Sequence, residues 1–152
     1  SVAYWLMKSE PDVFSIDDLK RKKKEAWDGV RNFQARNYLR SMAVGDQVLF
    51  YHSSCAVPGI VGKAKVSKPA FPDPTQFNPD SDYYDPTSPP DNPRWSAVEV
   101  AFVSKLKAPL TLDELKTIEA LSSMPLVKRG NRLSVMPVSS AEWAAIAART
   151  AS

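Results

Sequence analysis

Gln47-Val48-Leu49-Phe50-Tyr51-His52 and Gly59-Ile60-Val61-Gly62-Lys63-Ala64-Lys65-Val66-Ser67 read as two successive strands, entered through the turn Gly45-Asp46 and joined by a loop that holds Cys55 and Pro58. In the second, Lys63 and Lys65 alternate with Gly62, Ala64 and Val66, which predicts one wet face and one dry face. Working outward, Val2 to Lys8 is a further strand, ended by Glu10-Pro11 because proline has no N–H for a ladder. Ser15 caps a short helix through Lys22, with Asp17 and Asp18 favourable in its first turn. Trp27 to Arg31 contains Asp-Gly and reads as a loop. Asn32 then opens a helix from Phe33 to Met42, whose Ala35, Tyr38, Leu39 and Met42 form one apolar stripe.

Beyond the central pair, Pro69 to Pro93 holds eight prolines, five aspartates and four aromatic residues, a composition that predicts neither regular helix nor sheet. Its aromatics imply a loop pinned to the body, either a structural belt or a lid. Trp95 to Lys107 reads as the longest strand, with Val98, Val100 and Phe102 on one face. Thr111 and Glu114 make a capping box for a helix to Ile118, and Ser139 and Glu142 make another for a terminal helix that turns Trp143, Ile146 and Ala147 inward. Arg132 to Val138 is the last strand. Five short strands broken by helices, without a βαβ repeat, predict an α+β fold: a small mixed, barrel-like sheet with helices at its ends.

The chain has 152 residues, 43% of them hydrophobic, enough for one domain over 1–152 that buries a core without metal or disulfides. A formal charge of +3 is compatible with a polyanionic partner without demanding one. Cys55 is alone and cannot form an internal disulfide, no apolar run approaches the roughly 20 residues of a membrane span, and no signal pattern opens the sequence. The expectation is an intracellular, cytoplasmic monomer.

Two strings carry the functional reading: Trp27-Asp28-Gly29-Val30-Arg31-Asn32 and Phe50-Tyr51-His52-Ser53. Each sets aromatic rings beside compact polar groups at the end of a predicted element, the arrangement that holds a planar heterocycle. Trp27 is either the wall of a base cage or a core tryptophan, and Gly29 permits close backbone approach. Trp5 is equally a pocket residue or plain core. Asn32 either caps its helix or reads a base edge. Arg31 and Arg36 either meet phosphates or are solvated, and the same holds for Lys22 and Lys23 within the run Lys20 to Lys24. His52, the only histidine, invites a catalytic story with Ser53 or Cys55 as nucleophile and Glu10 as orienter. Adjacent strand residues point to opposite faces, however, and His52 and Ser53 should not share a proton. One His and one Cys make a poor metal site.

These strings, with Tyr4-Trp5-Leu6-Met7-Lys8-Ser9-Glu10-Pro11, Gln34-Ala35-Arg36-Asn37, Pro58-Gly59-Ile60-Val61-Gly62, Pro72-Asp73-Pro74-Thr75-Gln76-Phe77, Tyr83-Tyr84-Asp85-Pro86, Pro93-Arg94-Trp95 and Leu126-Val127-Lys128-Arg129, resemble the EVE domain family over nearly the whole chain. The resemblance implies a PUA-like β-barrel flanked by short helices, related to modified-base readers such as the YTH domain. It also implies a DNA or RNA partner, DNA favoured, with modified cytosine flipped into an aromatic pocket. By that resemblance Trp5, Lys8, Ser9, Trp27, Gly29, Val30, Asn32, Tyr51, His52 and Ser53 form the base pocket. Trp27 and Tyr51 supply rings, Asn32, Ser9 and Ser53 hydrogen bonds, and Lys8 and Arg31 charge. Arg31, Arg36, Lys22, Lys23 and Arg129 are the phosphate candidates; no cofactor, metal or catalytic residue is expected. The rivals are a small enzyme on a nucleotide-like heterocycle using His52 and Glu10, and an interaction module whose surface is the proline-rich loop. On the base-reader reading, Trp27→Ala should abolish discrimination and leave the fold intact.

Overall fold

Gln47–His52 is strand β3 of the computed structural model, which describes residues 2–150. For the numbering used below, chain order gives β1 Tyr4–Ser9, α1 Ile16–Lys22, β2 Lys24–Trp27, α2 Phe33–Ser41, then β3, followed by β4 Gly59–Pro72, β5 Ser96–Thr111, α3 Leu112–Lys116, β6 Val135–Val138 and α4 Ser140–Thr150. The six strands make one open mixed sheet in the order β2-β5-β4-β3-β1-β6. Only β1 and β3 run parallel; every other neighbouring pair is antiparallel. Register shifts in the β3–β4 ladder, at Val61, and along the β4–β5 ladder bend the long strands. The sheet therefore curls without closing, leaving β2 and β6 as its edges.

The local signals act as read. Ser15 and Asp18 form a reciprocal capping box, as do Thr111 and Glu114, and Ser139 exchanges the same pair of bonds with Glu142. Asn32 Oδ1 accepts from the Ala35 N–H at 2.9 Å, so its side chain caps α2. Ala35, Leu39 and Met42 are buried and Tyr38 packs against the same core. Four successive residues of β3, Val48 to Tyr51, are buried in the core, where the Phe50 ring meets those of Phe14 and Trp27.

Two strand boundaries correct the sequence reading. The count is six, not five: Lys24–Trp27 is a strand on β5, with Trp27 opposite Val98, and Trp27 ends this strand instead of beginning a loop. β4 continues through Pro69 to Pro72, inside the segment expected to be irregular. β3 covers β4 only as far as Lys65, so the prolines fall where one edge of β4 is free and no N–H is required.

The rest of the proline-rich segment is a belt. Asp73 to Phe77 makes a capped 3₁₀ turn, and the buried Gln76 amide ties the belt to β5. Gln76 Nε2 donates to the Asp73 and Trp95 carbonyls at 2.7 and 2.9 Å, and its Oε1 accepts from the Ser88 hydroxyl and the Trp95 N–H. Asp85 accepts from the Trp95 indole at 2.8 Å and from Thr87, which holds its carboxyl down at about 2. A free loop carries no such set of buried bonds.

Candidate functional site

Trp27 ends edge strand β2 with its ring turned inward, 5.4 Å from Phe50 and 6.5 Å from Phe14, both edge-on. Only 9% of it is exposed, and it belongs to the core. Its indole N–H nevertheless has no acceptor among the described residues and is not among the buried unpaired atoms. One edge of the ring therefore reaches an open cleft of about 770 Å³. The cleft runs from the end of β1 (Lys8, Ser9, Glu10) past Phe14 and the β2 end (Glu25 to Arg31) to Ser53, Tyr83 and the segment entering β6 (Asn131, Arg132, Ser134). Two backbone bonds hold these pieces together: Lys8 N–H donates to the Ser134 carbonyl at 2.8 Å and Ser53 N–H to the Ser9 carbonyl at 3.0 Å.

The far wall is Tyr83, 43% exposed, delivered by the belt. Arg31 fastens it. The guanidinium donates to the Tyr83 carbonyl at 2.7 and 3.2 Å, to Asp73 at 3.0 Å, to the Val30 carbonyl at 2.9 Å and to the Thr75 hydroxyl at 3.1 Å. It also stacks between the rings of Tyr83 and Trp95. These bonds use all five of its donors. Asp73, fully buried, completes the knot by accepting from Gly29 N–H at 2.8 Å and from Thr75. Burial pushes its carboxyl upward, but the bonds from Thr75, Gly29 and Arg31 outweigh it and hold it below the ordinary range.

Of the residues anticipated for a base pocket, Lys8, Ser9, Trp27, Gly29, Val30 and Ser53 line this cleft, as does Arg31. Ser9 donates its hydroxyl to the Phe14 carbonyl at 2.6 Å, which leaves its oxygen free to accept. The Lys8 ammonium lies 5.8 Å from the centre of the Tyr51 ring, and burial pushes its pKa down.

The other anticipated residues lie elsewhere. Trp5 is core, its indole donating to buried Asp46 at 3.0 Å. Asn32 is engaged as the α2 cap. Tyr51 is 2% exposed, and burial pushes its hydroxyl up to about 12. His52 Nε2 accepts the Ile16 N–H at 3.1 Å, satisfying one of the free donors at the α1 start.

The anticipated phosphate ligands are dispersed too. Arg36 lies over the Phe33 ring and donates to the Arg94 carbonyl. Lys22 pairs with Glu25, and Lys23 closes α1 in a left-handed conformation at φ 73°. Arg129 is exposed outside the cleft, whose lining takes Asn131 and Arg132 instead. Tyr83 and Arg132 are among the lining groups that the sequence reading did not select. Trp27-Asp28-Gly29 and the aromatic doublet Tyr83-Tyr84 were visible signals, but nothing local connected them.

Among the described residues no group of His, Cys, Asp or Glu could hold a metal, and no helix is long and apolar enough to cross a membrane.

An open, curled mixed sheet with helices packed at its ends and a polar and aromatic cleft beside β1 and β2 is the PUA-like architecture. The chain belongs to the EVE domain family, whose pattern matches residues 3–149. It is 48% identical to mouse (Mus musculus) thymocyte nuclear protein 1 over 159 aligned positions, covering 92% of this chain and 70% of that protein. A crystal structure of a Pseudomonas syringae protein superposes with a TM-score of 0.95 at 55% identity, covering 97% of this chain and 99% of that one. The crystal structure of human THYN1 in complex with DNA containing 5-methylcytosine superposes with a TM-score of 0.93 at 43% identity, covering 99% and 98%.

Proposed function

We propose that this protein is a DNA-binding module that reads a modified base, 5-methylcytosine or a close relative, flipped into the cleft between Trp27 and Tyr83. The observation that carries this reading is the cleft: an indole edge and an exposed tyrosine ring on either side of unpartnered polar groups, in a chain similar to a protein crystallised with 5-methylcytosine DNA. The exposed Tyr83 ring can stack on a planar guest, about 1–3 kcal/mol per base, and fixed polar groups, the Trp27 indole N–H among them, read its edge. Lys8, Ser9, Val30 and Ser53 join the two rings in the pocket. Lys8 and Arg132 supply positive charge at its mouth for the flanking phosphates.

A binding role, not catalysis, fits the chemistry of the lining. The Nε2 of the sole histidine is occupied by the α1 backbone, which withdraws it from a nucleophile–base pair with Ser53. A DNA ligand also places the protein inside the cell. The test is a titration of labelled oligonucleotides carrying cytosine, 5-methylcytosine or 5-hydroxymethylcytosine at one position. Preferential binding to a modified form is expected, and equal, wholly salt-driven binding to all three would refute the reading.

A further inference from the structure

5-Methylcytosine and thymine carry the same methyl group on the same ring. They differ at C4, an amine in one and a carbonyl in the other, and at N3, an acceptor in one and a donor in the other. A cleft that senses only the methyl would be occupied by thymine, which is far more abundant in DNA. Discrimination therefore needs a group that reads the C4 substituent.

Resting on the function proposed above, we infer that Asp28 is the specificity-determining residue: its carboxylate accepts from the 4-amino group of cytosine, and the neighbouring Trp27 indole N–H donates to an acceptor on the same base edge. Three carboxylates line the cleft. Glu25 is paired with Lys22 at 3.4 Å. Glu10 lies on the exposed turn after β1. Asp28 stands between Trp27 and Gly29, and among the described residues its side chain has no hydrogen-bond partner in another residue and no salt bridge, although Arg31 is only three residues away and fully bonded elsewhere. Asp28 is exposed to the cleft, and partial desolvation, with Asp73 and Glu25 adding to it and Arg31 and its own backbone N–H opposing, pushes its carboxyl above the ordinary range. An amine replaces that lost solvation. A carbonyl at C4 meets the carboxylate acceptor to acceptor and is repelled. Aspartate accepting from cytosine N4 is the pairing that hydrogen-bond geometry favours for this base.

Binding is measured by fluorescence anisotropy on single-stranded oligonucleotides identical except for one central base: 5-methylcytosine, cytosine, thymine, or N4,N4-dimethyl-5-methylcytosine, which has no N4–H. The wild-type protein is expected to hold 5-methylcytosine at least about tenfold more tightly than thymine or the dimethyl base. In Asp28→Asn, whose amide presents either a donor or an acceptor, that ratio should collapse to about twofold with an unchanged circular dichroism spectrum. A variant that keeps the ratio overturns the role of Asp28 and leaves the proposed function standing. So does a wild-type protein that prefers 5-methylcytosine over cytosine yet takes thymine equally. If the variant does not fold, the dimethyl base decides: wild-type binding as tight as to 5-methylcytosine overturns the inference. Equal binding, or none, across all four bases removes the proposed function itself.

Discussion

The Tyr83 ring rests directly on the backbone of Gly29: a Cβ added at Gly29 would lie 2.7 Å from Cε2 of the tyrosine. The close approach that a glycine there permits is thus made by the protein's own belt, and it sets the position of one cleft wall. Gly29 also has φ +75°, a left-handed conformation that costs an L-residue roughly 1–2 kcal/mol. Gly29→Ala should therefore lower the stability measured by urea denaturation by at least that amount and weaken binding to a 5-methylcytosine oligonucleotide as Tyr83 is displaced. Unaltered affinity in a folded variant would remove Tyr83 from the binding surface.

Arg31 was a candidate for phosphate contact, and its bonding makes a different prediction. Lysine at this position keeps the charge but loses the planar fork, leaving the buried Asp73 short of a partner. Arg31→Lys should destabilise the protein by about 2–4 kcal/mol in urea denaturation. In Arg31→Gln, which removes the charge, the slope of log affinity against log salt should stay the same, because the arginine has no donor left for a phosphate. A fall in that slope by about one would show that Arg31 meets the DNA backbone instead.

His52 makes the stability of α1 sensitive to pH. Its Nε2 must be unprotonated to accept the Ile16 N–H, and burial pushes its pKa below 6.5, with Lys105 adding to this and Asp17 opposing it. The unfolded chain then binds a proton at a higher pH than the folded protein. The contribution is fully present above 6.5 and is lost as pH falls through the lowered folded value. The urea midpoint should drop between pH 7.5 and 5, and His52→Gln, which offers a pH-independent acceptor, should flatten that drop. An identical slope in the variant would assign the effect to other groups.

Trp27→Ala no longer serves as a clean probe of the pocket. The ring is packed on Phe50 and Phe14, and deleting it should cost about 3–5 kcal/mol, enough to endanger the fold. Trp27→Phe keeps an aromatic ring in the core and removes the N–H at the cleft. It should remain folded by circular dichroism while binding the modified oligonucleotide several-fold more weakly. Equal affinity would mean that the indole N–H takes no part.

Features that depend on residues three or four apart were legible in advance. The Ser15 cap, the Thr111 and Ser139 capping boxes and the α2 stripe are local interactions, complete within one or two helical turns. β2 was hidden because Lys24-Glu25-Ala26-Trp27 shows no apolar alternation; it is an edge strand, held by main-chain pairing to β5 with one buried side chain. The end of β4 was hidden because its prolines are acceptable only where the neighbouring strand has stopped, a fact of sheet geometry.

The sequence by itself determined the helices, their caps, the central strand pair and the family, because each is written in short-range pattern or in contiguous motifs. Which side chains share a surface was decided only by tertiary structure. Trp5, Tyr51 and His52 belong to promising motifs but are consumed by Asp46, the core and the α1 backbone. Tyr83 and Arg132 come from distant segments and reach the cleft because the Asp73–Arg31 knot and the Lys8–Ser134 bond bring them there. Strand alternation and sheet order choose the face each residue presents, and no local spacing encodes that choice.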